Sequence, residues 1–150
     1  MRRLAIIAIA LLATIAADAQ QSPVHWSYSI LKKSAQQYEV HLKATMDADW
    51  HIYACEQPAS AIAQPTNISF AANSSLVFKG NPKEVGRKEI YTDQNAGIQQ
   101  YYFGGMVEYI QYVQRKDTTT ATISGTVTYQ PCTNERCLAP RTETFSLPVK

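Results

Sequence analysis

Apolar and polar side chains alternate along much of the chain, which is the pattern of a strand with one buried face. The clearest run has its apolar members at Tyr38, Val40, Leu42, Ala44 and Met46. Positions 106–113 are instead apolar on both faces, as expected of a central strand. Strands are predicted at 26–30, 38–46, 50–53, 68–70, 76–78, 88–91, 106–113, 121–130 and 141–149.

Turn-forming residues separate these predicted strands, at 47–49, 58, 65, 73–75, 80–82, 104–105 and 116–117. No stretch has a convincing helical period. About eight short strands at this spacing predict an all-β fold, an immunoglobulin-like β-sandwich. A longer connection, rich in alanine and proline, is expected at 54–66.

The beginning of the chain has a different character. Arg2 and Arg3 precede an almost uninterrupted apolar run from 4 to 17, and Ala17-Asp18-Ala19 offers small residues at a cleavage site. This pattern is typical of an export signal, so we expect a signal peptide at 1–19 and a single domain at 20–150. An uncleaved anchor is the alternative, although the run is short for a membrane span. Export would place the cysteines in an oxidising compartment, where a disulfide can persist.

Composition excludes some classes of function. The chain has 150 residues, with 14 lysines and arginines against 12 aspartates and glutamates, and a formal net charge of +2. This near-neutral balance gives no basic surface for nucleic acid or for an anionic membrane. We therefore expect no nucleic-acid partner and at most peripheral membrane contact. A chain of this length can bury a core without cross-links.

Two of the three cysteines, Cys132 and Cys137, flank a short turn between the last two predicted strands. Pro131, Asn134 and Pro140 are turn formers, so the pair is expected at the tip of a hairpin. A bond there would close a ring of about six residues and stabilise the fold by only ~2 kcal/mol. Exposed disulfides tend to be labile, yet most disulfides of exported proteins are structural. The residues alone leave both roles open.

Other chemistries have less support. His25, His41 and His51 lie in no recognisable catalytic motif. A single cysteine pair lacks the second pair of ligands that a structural zinc site needs. Copper could use cysteine with methionine, but Met46 and Met106 are more simply core residues. Thiol–disulfide exchange is the chemistry that remains.

An aromatic segment lies upstream of the cysteine pair. Its residues are Gln99, Gln100, Tyr101, Tyr102, Phe103, Gly104 and Gly105. Ordinary packing at the start of a strand is one interpretation. The other is a cap loop, Tyr101 to Gly104, that covers a reactive disulfide and swings away when a partner docks. The glycines would permit that motion.

These segments resemble a known family. The runs Val127-Thr128-Tyr129-Gln130-Pro131-Cys132 and Cys137-Leu138-Ala139-Pro140 resemble the active-site hairpin of the amino-terminal periplasmic domain of the thiol:disulfide interchange protein DsbD. Positions 50–53 are similar to the strand of alternating aromatic residues beside the family's disulfide. Positions 102–104 are similar to its cap loop, and Tyr109 falls where the family has another tyrosine. The resemblance extends from 25 to 149.

The resemblance implies an immunoglobulin-like fold and a redox shuttle, a component of a protein-disulfide reductase system in the periplasm. In the family, the domain takes electrons from a membrane thiol reductase. It passes them to exported thioredoxin-fold proteins, such as disulfide isomerases and cytochrome c maturation factors. No metal or organic cofactor is implied.

The resemblance also implies roles for individual residues. Cys137 would form the mixed disulfide with partners, and Cys132 would resolve it. Tyr102 and Phe103 would shield the sulfurs. The residues that would line the site are His51, Tyr53 and Tyr129.

The chain departs from the family in several places. Gln100 and Tyr101 stand where members carry acidic residues, and the loop between the cysteines is one residue shorter. Arg136 could favour a thiolate at Cys137, but it is more simply a solvated surface residue. The chain ends soon after its last predicted strand, so we expect either a stand-alone relative or a piece of a larger protein. A non-catalytic binding module with a structural disulfide remains the alternative function.

Cys55 is the odd cysteine. It lies two residues after Tyr53, so in an extended strand both side chains would point to the same side. A free buried thiol is expected. A third redox-active sulfur near the pair and an intermolecular bridge are the alternatives.

Overall fold

The computed structural model describes residues 21–150, so the signal peptide expected at 1–19 lies outside the described residues. The strands are β1 (Val24–Lys32), β2 (Gln37–Met46), β3 (His51–Tyr53), β4 (Asn67–Phe70), β5 (Leu76–Asp93), β6 (Ile98–Arg115), β7 (Ala121–Tyr129) and β8 (Arg141–Val149). Within the same residues, nothing forms a helix of the length and apolarity needed to cross a membrane.

The strands form two antiparallel sheets. The larger sheet has the order β1-β2-β6-β3, with β5 also paired to β6. The smaller sheet has the order β4-β7-β8. This arrangement confirms the prediction of an all-β, immunoglobulin-like sandwich.

The alternation in β2 places one face of that strand in the core. Val40 and Leu42 are fully buried, whereas Lys43 is exposed. The smaller sheet contributes Ile123 and Val127 from β7, which are also fully buried. Removal of these apolar side chains from water is the main contribution to holding the two sheets together.

Strands β5 and β6 are longer than the sequence predicted, because two expected breakers lie inside them. Positions 80–82 fall in a register shift between Lys79 and Lys83, where the extra residues are accommodated as a bulge. At Gly105, which has a φ of 71°, the partner of β6 changes from β2 to β3. The prediction that strands end at these positions was wrong, since a bulge and a change of partner both leave the strand continuous.

The far ends of β5 and β6 form an arm whose turn lies at 94–97. Asp93 Oδ1 accepts hydrogen bonds from the N–H groups of Asn95 and Ala96, both at 3.0 Å. Gly97 has a φ of 68°, a conformation that glycine adopts without steric cost. Along this arm β3 pairs with the other edge of β6, so three strands lie side by side next to the cysteine hairpin.

Candidate active site at the cysteine hairpin

Cys132 and Cys137 form a disulfide in the connection between β7 and β8, with their Cα atoms 4.0 Å apart. The two residues differ in exposure, because Cys132 is fully buried whereas Cys137 is exposed. An attacking thiolate therefore has access to the bond from the Cys137 side. The pair lies at the tip of the β7–β8 hairpin, as predicted.

Main-chain hydrogen bonds attach Cys132 to β3 of the larger sheet. The His51 N–H donates to the Cys132 carbonyl at 2.9 Å, and the Cys132 N–H donates to the His51 carbonyl at 3.0 Å. The preceding residue, Pro131, is also fully buried. The buried cysteine is thus held between β7 of one sheet and β3 of the other.

The turn between the two cysteines is closed by hydrogen bonds as well as by the disulfide. The Thr133 N–H donates to the Arg136 carbonyl at 2.7 Å. The Thr133 Oγ1 accepts from the N–H groups of Glu135 and Arg136, both at 3.2 Å. Outside this turn, the Leu138 N–H donates to the Pro131 carbonyl at 2.9 Å. The backbone conformation therefore has support that does not depend on the sulfur–sulfur bond.

Cys137 opens onto a groove of 690 Å³ between the cysteine hairpin and the arm. Three of the predicted site residues, His51, Tyr53 and Tyr102, line this groove. The other lining residues outside the turn are Ile62, Tyr91, Asp93, Ile98 and Gln100. The groove gives a second molecule direct access to Cys137.

Burial shifts the pKa values of His51 and Tyr102, two of the residues that line the groove. Burial lowers the pKa of the His51 imidazole, and the nearby charge of Glu89 partly opposes this. The His51 ring lies 4.7 Å from the Tyr102 ring and 5.4 Å from the Tyr53 ring. The Tyr102 hydroxyl donates to Glu89 Oε2 at 3.1 Å, and burial followed by this hydrogen bond raises the pKa of Tyr102. Burial thus favours the neutral forms of His51 and Tyr102, which line the same groove as Cys137.

Arg136 is exposed, as expected, but its guanidinium has a partner. It lies 5.7 Å from the centroid of the Trp50 ring, which is a cation–π distance. Trp50 immediately precedes β3 in the chain. A positive charge is thus held beside Cys137 by an aromatic ring.

The segment expected to be a cap loop is part of strand β6, so the prediction of a loop was wrong. Tyr101, Tyr102 and Phe103 are paired with β5, and β3 pairs with Tyr102, Phe103 and Gly104 from the other side. Because both edges of the backbone are hydrogen-bonded, the segment is a central strand. Of the four cap residues, only Tyr102 lines the groove. Phe103 is buried in the core.

Tyr129, which was expected to line the site, lies elsewhere. Its side chain is fully buried between the sheets, 5.4 Å from the Trp26 ring. Its hydroxyl is hydrogen-bonded to Ser22 and donates to Glu143. The residue supports the hairpin through the core and does not line the groove of Cys137.

Cys55 is a free, partly buried thiol. It lines a different cavity from Cys137, together with Glu84 and Lys88. Burial, followed by the charge of Glu84, raises the pKa of the Cys55 thiol. Residues 21–150 contain no cluster of three or more histidine, cysteine or acidic side chains that could hold a metal ion.

Two groove residues, Ile62 and Tyr91, were not predicted from the sequence, and Gln100 was predicted only as part of the aromatic segment. Tyr91 and Gln100 face each other across β5 and β6, a pairing that alternation alone does not reveal. Ile62 belongs to the connection at 54–66, which has no periodic pattern. The turn at 94–97 is the signal that could have predicted the pairing of Tyr91 with Gln100, because a turn fixes the register of the two strands that it joins.

The sequence matches the family described as "Thiol:disulfide interchange protein DsbD, N-terminal" over residues 17–148. A comparison with curated protein sequences gives no match. Similar solved structures include the DsbD N-terminal domain of Neisseria meningitidis in its complex with the PilB N-terminal domain. That structure has a TM-score of 0.56 at 13% identity, covering 87% of this chain and 88% of that one.

Two further structures have the same fold. The reduced form of the meningococcal DsbD N-terminal domain has a TM-score of 0.50 at 15% identity, covering 77% of this chain and 86% of that one. The N-terminal periplasmic domain of ScsB from Proteus mirabilis has a TM-score of 0.54 at 14% identity, covering 86% of this chain and 47% of that one. This chain therefore spans about half the length of the Proteus protein chain. Because the family match covers most of the sequence, the chain belongs to the family of DsbD N-terminal domains, which are thiol–disulfide interchange domains.

Proposed function

We propose that Cys132 and Cys137 form a redox-active pair through which this domain reduces exported thioredoxin-fold proteins in the periplasm. The observation that carries this proposal is the unequal exposure of the two cysteines, with Cys137 open to the groove and Cys132 fully buried. Disulfide exchange needs one accessible sulfur that forms the mixed disulfide and a second that is close enough to resolve it. The hairpin supplies both.

In the reducing direction, the Cys137 thiolate attacks the disulfide of the partner. A bond forms between Cys137 Sγ and one partner sulfur, and the electron pair of the broken bond leaves with the other partner sulfur, which takes up a proton. The Cys132 thiolate then attacks Cys137 Sγ and re-forms the domain disulfide, so that the partner leaves with both sulfurs reduced. Two electrons pass from the domain to the partner.

A membrane thiol reductase is the proposed source of those electrons, since the oxidised pair must be reduced again after each cycle. Disulfide isomerases and cytochrome c maturation factors are the proposed acceptors. The complex of the meningococcal domain with the PilB N-terminal domain supports a protein as the partner. With Tyr101 and Phe103 placed away from the groove, Tyr102 is the residue proposed to shield the Cys137 sulfur.

Single-cysteine variants test the proposal. Cys132→Ala should trap a mixed disulfide with a thioredoxin-fold protein, because the resolving sulfur is gone, and Cys137→Ala should form none. Cys55→Ala is the matched control and should exchange like the unmodified domain. Unchanged exchange in both single variants would refute the proposal. So would a reduction potential well below about −300 mV, which is typical of structural disulfides.

A further inference from the structure

Two large apolar side chains stand exposed at the rim of the groove that contains Cys137. Ile62 is 76% exposed and Tyr91 is 50% exposed. Neither position is explained by packing, since neither side chain belongs to the core. Both side chains line the same groove as Cys137, and exposed apolar side chains grouped around one groove are a mark of an interaction surface.

The position of Ile62 is set by hydrogen bonds from its own loop to β6. Gln100 is buried, and its Oε1 accepts from the N–H groups of Ile62 and Ala63, at 3.3 and 2.8 Å. These bonds hold the backbone of the loop while leaving the Ile62 side chain in solvent.

A second set of hydrogen bonds holds the start of the same loop. Gln57 donates to the Tyr101 carbonyl at 2.6 Å and accepts from the Tyr101 N–H at 3.0 Å. The Ser60 Oγ accepts from the Gln99 N–H at 3.1 Å. The loop is therefore held along β6 by hydrogen bonds at several points, and these bonds fix the position of Ile62.

We propose that Ile62, positioned by Gln100, together with Tyr91 forms the apolar contact on which a thioredoxin-fold partner docks when it exchanges with Cys137. This rests on the proposed function, because a partner's sulfur can bond to Cys137 only if the partner surface around its own sulfur covers the groove. An apolar rim fits the surface of a folded protein better than a small polar thiol, which would gain little from Ile62. Gln100 acts as a positioning residue for the loop.

The test compares a protein reductant with a small one. The Cys132–Cys137 bond is reduced with reduced thioredoxin in one series and with dithiothreitol in the other. In each series the free thiols are blocked with a maleimide at successive times, which gives the rate of reduction. The measured quantity is the rate with thioredoxin divided by the rate with dithiothreitol. We expect Ile62→Asp to lower this ratio by about tenfold, the effect of losing one good apolar contact.

Ile90→Asp is the matched control. Ile90 is 60% exposed and adjoins Tyr91, but it lies on the opposite face of β5 and does not line the groove. The ratio of the thioredoxin rate to the dithiothreitol rate in Ile90→Asp should equal that of the unmodified domain. Gln100→Ala should lower the ratio because it releases the loop, and Gln100→Glu, which retains an acceptor oxygen, should restore most of it.

Two outcomes would overturn the docking proposal alone. They are an unchanged ratio in Ile62→Asp and a thioredoxin rate no faster than that of dithiothreitol in the unmodified domain. A bond that neither reagent reduces in the folded protein would instead overturn the proposed function. The two failures are therefore distinguishable in the same experiment.

Discussion

The main chain of His51 forms both hydrogen bonds of an antiparallel pair with the main chain of Cys132, at 2.9 and 3.0 Å. This pairing fixes the buried cysteine to β3 whether or not its sulfur is bonded. The turn before Cys137 is closed in a similar way, by the bond from Thr133 to Arg136. Reduction therefore removes one covalent link from a hairpin whose backbone has other support.

Reduction of the Cys132–Cys137 bond should lower the free energy of unfolding by no more than about 2 kcal/mol, because a ring of roughly six residues restricts the unfolded chain only slightly. Urea unfolding of the oxidised and reduced protein, followed by tryptophan fluorescence, measures the difference. The Cys55→Ala protein is the suitable background, since only the pair then changes state. A loss above about 4 kcal/mol would mark a structural bond and favour the binding-module alternative.

The three thiols of the reduced, folded protein should differ in reactivity. Cys137 is exposed, whereas Cys132 is fully buried and Cys55 is partly buried with a raised pKa. We expect iodoacetamide to modify Cys137 at least about tenfold faster than either of the others. A time course read by peptide mass spectrometry measures the three rates. Equal rates would remove the basis for assigning attack to Cys137.

Glu84 provides an internal control for the Cys55 rate. Burial first, and the charge of Glu84 second, raise the pKa of the Cys55 thiol, while Lys88 opposes them. Glu84 Oε1 also accepts a hydrogen bond from the Cys55 N–H at 2.6 Å. Glu84→Gln keeps an acceptor but removes the charge, so Cys55 should be modified faster at mildly alkaline pH while Cys137 is unaffected. Without any acceleration, burial alone would account for the low reactivity of Cys55.

Much of the sandwich could be predicted from the sequence, because a strand with one buried face carries its own signal. In β2 every second residue is buried, and the residues between them are exposed or partly buried. The lengths of β5 and β6 could not be predicted, since the turn formers at 80–82 and the glycines at 104–105 indicate strand ends. In the fold, β6 changes its partner from β2 to β3 at Gly105, and such long-range pairing has no local signature in the sequence.

The candidate site was predicted only in part. The cysteine pair was recognisable from its turn formers, and the family resemblance brought in His51, Tyr53 and Tyr102. The prediction that Tyr129 lines the site was wrong, although the sequence carried a signal against it. Tyr129 lies on the same face of β7 as Val127 and Ile123, which are both in the core. The place of Ile62 could not be predicted, because it depends on hydrogen bonds to Gln100, 38 residues away in the chain.

Two glycines should respond differently to alanine, although both lie in strands. At Gly125 a Cβ atom would overlap the Ser69 carbonyl oxygen and the Phe145 ring, so Gly125→Ala should cost about 1–3 kcal/mol of stability. At Gly104 the nearest atom is the Trp50 carbonyl oxygen at 3.8 Å, and alanine should change stability by less than about 0.5 kcal/mol. Urea unfolding measures both.

The Gly104 variant also tests whether the aromatic segment moves. In the structure this segment is a central strand, so Gly104→Ala should leave the exchange rate with thioredoxin unaltered. If exchange slowed while stability stayed the same, a moving cap would become the better description, because alanine restricts the backbone more than glycine does.

His51 should make folding stability depend on pH. Burial lowers the pKa of its imidazole in the folded protein below the ordinary value of 6.5, so between these two pKa values the unfolded chain binds more protons than the folded one. Stability is then fully present above pH 6.5 and is lost as the pH falls through the folded pKa. His51→Gln should remove this part of the pH dependence, which urea unfolding at a series of pH values between about 5 and 8 would measure. His25→Gln, which alters an exposed histidine paired with Asp47, is the control and should retain it. If the unmodified domain and His51→Gln lost stability in parallel on acidification, the imidazole would not be buried in neutral form beside the cysteine pair.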